Sequence, residues 1–248
     1  MIVNMEKLII DPYEFITVDL KGAKAVFSTA RSNLNFNKAE DEGKKNIENL
    51  KKWFKLENVG FLNQVHGCEI VIYNPDDKVK DGDGIITNRS CTAVGVFNAD
   101  CVPVIIYDRE KKVIAAVHSG WKGTLACVVS KAIEKLEKEY SSKPENLQVC
   151  VGPHIHSCCY EVGEEFKNKF KDDSFYRNKD HIFNGRNLDL KKCILYQLLE
   201  KGVNRQNINY LDICTACNRE FKLYSYRKDR GTGRMFSFVY LDTLAEEG

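Results

Sequence analysis

The sequence lacks any apolar run approaching the roughly 20 residues needed to span a bilayer. Its start, Met1 to Ile10, gathers only Leu8, Ile9 and Ile10 behind Glu6 and Lys7, which is not the apolar stretch of a signal peptide. These two absences predict a cytoplasmic protein without a membrane partner. Proline and glycine are modest at 5 and 16, and no repeat, linker or low-complexity tract occurs, so collagen-like and disordered classes are excluded. Nor is there a block of one charge: 37 Lys plus Arg face 35 Asp plus Glu, and a net of +2 spread along the chain argues against a nucleic-acid partner.

What is present is an ordinary globular composition, 43% hydrophobic and 29% charged over 248 residues. That is enough apolar material for one core, and the whole span 1–248 reads as a single domain. The ten cysteines do not indicate a disulfide scaffold, which belongs to short exported chains. Cys91, Cys127, Cys150 and Cys193 stand in apolar stretches, where a thiol behaves as a small hydrophobe.

Short β-like runs cover Ala25 to Ser28, Val59 to Val65 and Glu69 to Tyr73. Residues Glu42 to Leu56 carry apolar groups at helical spacing. Three strands follow in quick succession, Thr92 to Phe97, Val102 to Tyr107 and Lys112 to His118. Their short connections favour antiparallel neighbours, because a parallel crossover takes about a dozen residues. A helical stripe from Leu125 to about Tyr140 has Thr124 as its expected N-cap. Leu147 to Val151 reads as a strand, Glu161 to Lys171 as a helix, and Asp189 as the cap of a further helix ending before Gly202. The tail from Phe221 to Leu241 reads as β, interrupted at Gly231. Strands and helices without regular alternation predict an α+β class.

Chemistry concentrates around few residues. His66 and His118 stand at expected strand ends, with Asn98-Ala99-Asp100-Cys101 between them at a turn. One thiolate and two imidazoles make a three-ligand zinc set with an open fourth position. The same residues admit a metal-free reading, Cys101 as nucleophile and His118 as base. Asp100 beside the thiol should raise its pKa, which favours the metal. Cys214-Thr215-Ala216-Cys217 looks like half of a structural zinc site, but no second Cys-x-x-Cys or histidine pair stands at finger spacing. Cys158-Cys159 is most simply turn packing, and of His154 and His156 at most one would reach a shared metal if the segment is extended.

Taken in order, the motifs Asn63-Gln64-Val65-His66-Gly67, Asp81-Gly82-Asp83-Gly84 leading to Thr87, Ala99-Asp100-Cys101, His118-Ser119-Gly120-Trp121, Gly152-Pro153 with Tyr160-Glu161-Val162, Cys214-Thr215, and Tyr224-Ser225-Tyr226-Arg227 with Gly231-Thr232-Gly233-Arg234 form a set. From about Phe27 to Arg234 the chain resembles the YfiH/YlmD-type, laccase-domain family, which includes FAMIN-like purine nucleoside enzymes. The resemblance implies a layered α+β sandwich of mixed sheets flanked by helices, and a zinc site at His66, Cys101 and His118. It also implies phosphorolysis of adenosine, inosine, guanosine and methylthioadenosine, with adenosine deamination. The partners it implies are purine nucleosides and phosphate. The matching loop offers Asp83 as the carboxylate that moves a proton. Arg31, Asn35, Lys122, Arg227 and Arg234 are the implied phosphate and substrate contacts, although Ser28-Thr29-Ala30-Arg31 departs from the family's longer turn. Copper could occupy the zinc site opportunistically, since Cu²⁺ binds such ligands more strongly. A multicopper oxidase does not follow, because five histidines cannot hold four coppers and Met1, Met5 and Met235 are the only axial candidates. The alternatives are a hydrolase editing peptidoglycan precursors and a ligand-binding factor without catalysis.

Overall fold

The strands that dominate the centre of the chain are buried at every position, so alternation does not mark them, and the fold uses both faces. In a computed structural model describing residues 5–242, β8 (Val102–Asp108) turns Val102, Val104 and Ile106 to one apolar cluster and Ile105 and Tyr107 to another. The neighbouring β9 (Val113–Ser119) splits the same way, with Val113, Ala115 and Val117 on one side and Ile114 and Ala116 on the other. A strand buried on both faces must lie inside a layered structure.

In chain order the remaining elements are β1 (Met5–Ile10), β2 (Tyr13–Asp19), β3 (Ala23–Ser28), α1 (Asp41–Trp53), β4 (Asn58–Gly60), β5 (Ile70–Ile72), β6 (Gly84–Thr87), β7 (Thr92–Asn98), α2 (Trp121–Leu125), α3 (Val128–Tyr140), β10 (Leu147–Val151), α4 (Glu164–Asp172), β11 (Phe183–Asn184), β12 (Asn187–Leu188), α5 (Leu190–Glu200), β13 (Ile208–Tyr210) and β14 (Met235–Leu241). Two six-stranded sheets run β1-β2-β3-β14-β7-β4 and β13-β10-β8-β9-β6-β5. Pairing is antiparallel except at β4/β7, β5/β6 and β10/β13. The inner faces meet through Ile16, Phe27 and Val94 from the first sheet and Ile85, Ile105 and Ile114 from the second. Helix α1 covers the outer face of the first sheet through Ile47 and Leu50. Helices α3 and α5 cover the second through Val129, Ile133, Ile194 and Leu198. The expected α+β sandwich of mixed sheets flanked by helices is therefore the observed architecture. The outermost residues of the 1–248 span, 1–4 and 243–248, lie outside those described.

Several expectations change. β8 and β9 do pair antiparallel, from Val102↔Ser119 to Asp108↔Val113, but β7 belongs to the other sheet, between β14 and β4. The chain crosses between sheets at residues 99–101, where Asp100 takes a φ of 90°. β1 and β2 form a hairpin register, Met5↔Val18 to Ile10↔Tyr13, that sequence reading missed because Glu6, Lys7 and Glu14 interrupt its pattern. Val59 to Val65 is strand only through Gly60, and Phe221 to Arg234 is loop before β14. The helix expected from Glu161 starts at Glu164. Thr124 lies inside α2 with its hydroxyl on Ser119 at 2.8 Å, and α3 starts instead after left-handed Cys127. Asp189 does cap α5, accepting the Lys192 N–H at 2.9 Å. Cys150 and Cys193 are buried as small hydrophobes, while Cys91 and Cys127 are partly exposed.

Candidate active site

The crossing between the sheets creates the site. Cys101 immediately precedes β8, and the register Pro103↔His118 brings the end of β9 beside it. His66 comes from the loop joining β4 to β5, in a left-handed conformation at φ 58° that costs free energy unless its surroundings hold it. They do: the Asp83 carboxylate accepts the N–H groups of Val65 (3.2 Å), His66 (3.0 Å) and Gly67 (2.6 Å). The ligand atoms of His66, Cys101 and His118 lie within 4.8 Å of one another, and the two imidazole rings meet edge to face at 4.9 Å.

Burial alone would push the Cys101 thiol up, but His118 and His66 overcome it and bring it down to about 6. Burial likewise opposes a charge on His118, yet the thiolate and the Asp83 carboxylate raise it to about 9. Adjacent Asp100, expected from sequence to raise the thiol, is held by two donors of its own. Its carboxylate accepts the Thr215 hydroxyl at 2.6 Å and the Arg227 N–H at 2.6 Å. The floor of the site is thus a sulfur anion and two imidazoles with a cation's place among them.

Zinc fits this donor set on two observations. His118 Nδ1 sits 2.8 Å from Asp83 Oδ1, the carboxylate partner that leaves the other ring nitrogen for a metal. Gly120 lies against all three donors: a Cβ there would stand 3.0 Å from Cys101 Sγ, 3.1 Å from His66 and 3.8 Å from His118. Only glycine keeps that space open.

Above the floor is a cleft of about 830 Å³, within the range of small-molecule sites. Phe97, Trp121, Tyr160 and Tyr226 give it aromatic walls, and Lys38, Arg227, Arg230 and Arg234 supply four cationic groups. Arg227 donates to the carbonyls of Cys159 (3.4 Å) and Glu161 (2.8 Å) and lies 5.1 Å from the Tyr160 ring centroid. Arg234 donates to the carbonyls of Thr232 and Gly233.

Sequence reasoning placed His66, Cys101, His118, Arg227 and Arg234 at one site, and the fold brings these five together. The other four do not line the cleft. Asp83 is fully buried behind His118. Arg31 is exposed and faces Glu14 at 3.6 Å, outside the cleft walls. Lys122 points its ammonium over the Trp121 ring from the exposed side. Asn35 braces the wall from behind, its side-chain oxygen accepting the Arg234 N–H at 2.8 Å. Sequence reading missed Lys38, Gln64, Tyr160 and Arg230 as cleft residues. Gln64 was legible inside its motif; it pairs with both backbone groups of Phe97, at 2.7 and 2.8 Å. Arg230 carried no signal beyond proximity to Arg227. His154 and His156 do not join the cleft, and their rings face each other at 4.5 Å instead.

This geometry has relatives. A purine nucleoside phosphorylase of Clostridium acetobutylicum is 45% identical over 95% of this chain and 98% of its own length. The mouse purine nucleoside phosphorylase LACC1 is 33% identical over 76% of this chain and 44% of its own. The crystal structure of the hypothetical protein YfiH from Bacillus licheniformis superposes with a TM-score of 0.85 at 24% identity, covering 95% of this chain and 99% of that one, and shares the fold. The family model described as multi-copper polyphenol oxidoreductase laccase matches residues 17–242, which include every cleft residue named above, and the chain belongs to that family.

Proposed function

We propose that this protein is a purine nucleoside phosphorylase whose His66, Cys101 and His118 hold zinc at the floor of the cleft. The observation that carries the reading is the placement of a three-donor metal floor beneath four cationic side chains and an aromatic wall. The full-length relatedness to proteins named purine nucleoside phosphorylase supports it.

In phosphorolysis a phosphate oxygen bonds to the anomeric carbon while the bond from that carbon to the purine nitrogen breaks, and the electron pair leaves with the base. Arg227, Arg230, Arg234 and Lys38 hold the oxyanion, because a desolvated phosphate needs charge-assisted donors to offset its lost hydration. Burial lowers the pKa of Lys38 despite Asp81 nearby. Tyr160, pushed up by burial, keeps its phenolic proton and stays a hydrogen-bond donor beside Arg227. The aromatic walls stack against a planar purine. A zinc ion held by His66, Cys101 and His118 would supply Lewis acidity at the floor of the cleft. Asp83 holds the His118 ring and the 65–67 backbone and touches no substrate. Adenosine deamination stays outside the proposal, since Asp83 is enclosed and the Asp100 carboxylate already accepts from Thr215 and Arg227. Oxidase chemistry is likewise outside it, as Met5 and Met235 do not line the cleft.

One observation favours a second reading. Asp83, His118 and a Cys101 thiolate stand in the order of a nucleophilic triad, which suits a metal-independent hydrolase. Inosine cleavage separates the two. The phosphorylase depends on phosphate, releases ribose 1-phosphate and loses activity on metal removal; release of free ribose by chelated protein, indifferent to phosphate, would establish the hydrolase.

A further inference from the structure

Four cysteines outside the cleft remain without a role. Cys158 and Cys159 lie in the turn after β10, and Cys214 and Cys217 in the loop after β13. Sequence reading treated the first pair as turn packing and the second as half a zinc site without its complement. The fold supplies the complement, since the four sulfurs lie within 4.8 Å of one another. The Cys158 sulfur is 3.7 Å from that of Cys159 and 3.6 Å from that of Cys217. Four sulfurs placed about 2.3 Å from a central zinc in a tetrahedron are about 3.8 Å apart along each edge. A disulfide bond needs about 2.05 Å, and all four thiols are free.

The local backbone is built for anionic sulfur. Cys214 Sγ accepts the His156 N–H at 3.4 Å. Although burial raises its pKa, the N–H groups of His156, Ala216 and Cys217 bring it down. Burial and neighbouring sulfurs instead push Cys158 and Cys159 up, because thiolates this close repel one another without a cation between them.

We propose that Cys158, Cys159, Cys214 and Cys217 form a second, structural metal site that takes one zinc ion through four sulfurs. The ion adds a metal link between the β10 turn and the β13 loop, which also meet through the His154↔Cys214 bridge, the His156 N–H on Cys214 Sγ and the packing of Ile155 against Cys214 and Ala216. Both ligand pairs adjoin the cleft. Cys159 precedes Tyr160, and its carbonyl receives Arg227. Thr215, between the other two ligands, donates to Asp100 beside Cys101. The staple therefore fixes one wall of the active site without touching substrate, and it does not depend on the reaction proposed above.

The test is zinc content of the full chain purified under reducing conditions without chelator. Wild type should hold about two zinc ions and Cys101→Ala about one, and X-ray absorption of the Cys101→Ala protein should show four sulfur neighbours at about 2.3 Å. Cys158→Ser with Cys217→Ser should lower the wild-type content from two to one. One ion in both wild type and Cys101→Ala, with the four-sulfur shell, would support this site while removing zinc from the cleft floor. A zinc-free Cys101→Ala protein would overturn the proposal, as would a non-reducing intact mass showing these thiols paired as a disulfide. Both readouts hold even if the serine variants fail to fold.

Discussion

Asp83 shows how much one buried carboxylate can organise. Its two oxygens serve three backbone N–H groups and the His118 ring, so it sets both the His66 loop and the orientation of the His118 imidazole. Burial works against its ionisation, but His118 and the N–H donors prevail and lower its pKa. Asp83→Asn keeps the shape but turns an amide N–H₂ toward donors that need an acceptor. The expected result is a loss of zinc affinity of about 10- to 100-fold and of about 1–3 kcal/mol of metal-free stability, read by zinc competition titration and urea denaturation. Gly120→Ala acts on the same centre through space. Its methyl would sit at 3.0 Å from the Cys101 sulfur, and zinc affinity should fall at least about tenfold, or about 1.4 kcal/mol, while stability of the metal-free protein changes less. Retention of wild-type zinc affinity by Gly120→Ala would refute the cradle. These two residues also mark the limit of sequence reading. Each lay within a recognised motif, but only the pairing of β6 with β9 sets Asp83 behind His118, and only the fold sets Gly120 against Cys101, His66 and His118.

At the scale of elements, patterning was legible where an element has one dry face and obscure where it has two or none. Helices α1 and α3 present apolar stripes at helical spacing and were found close to their bounds. The central strands were found as apolar runs, but a run buried on both faces carries no information about which sheet it joins, and so β7 was paired wrongly. The hairpin of β1 and β2 was missed for the opposite reason, its outer strand being half exposed. The four-cysteine cluster depends on a parallel β10/β13 pairing across a long stretch of chain, which no local spacing encodes. Junctions between elements are similarly hidden. Gln197 of α5 is fully buried. Its oxygen accepts the N–H groups of Val129 and Ser130 at 3.0 and 3.2 Å, satisfying the open start of α3, and its amide donates to the Thr124 carbonyl at 2.9 Å and to Tyr176. Gln197→Leu leaves two buried donors of α3 unpaired and should cost about 3 kcal/mol. A urea midpoint lowered at unchanged slope, with kcat retained well below the midpoint, is the expected outcome.

For the molecule as a whole, the candidate metal floor sits where the two sheets exchange chain. His66 lies on the connection from β4 in the first sheet to β5 in the second, and Cys101 on the connection from β7 to β8. Zinc held there bonds both crossings to β9 through His118, so it should stabilise the native state against separation of the layers. A ligand that binds only folded protein adds about 4 kcal/mol at a free concentration 1,000 times its dissociation constant. In a domain of this size each kcal/mol moves the melting temperature by about 2–4 °C, so restoring zinc to chelated protein should raise Tm by about 10 °C. The cysteine cluster also responds to zinc, so the informative quantity is the difference between wild type and Cys101→Ala. Cys101→Ala should lose the part of the rise that belongs to the cleft and keep the rest. Equal zinc-dependent shifts in the two proteins would show that the floor of the cleft holds no metal, and would leave Cys101 and His118 as an ion pair whose chemistry is that of a nucleophile.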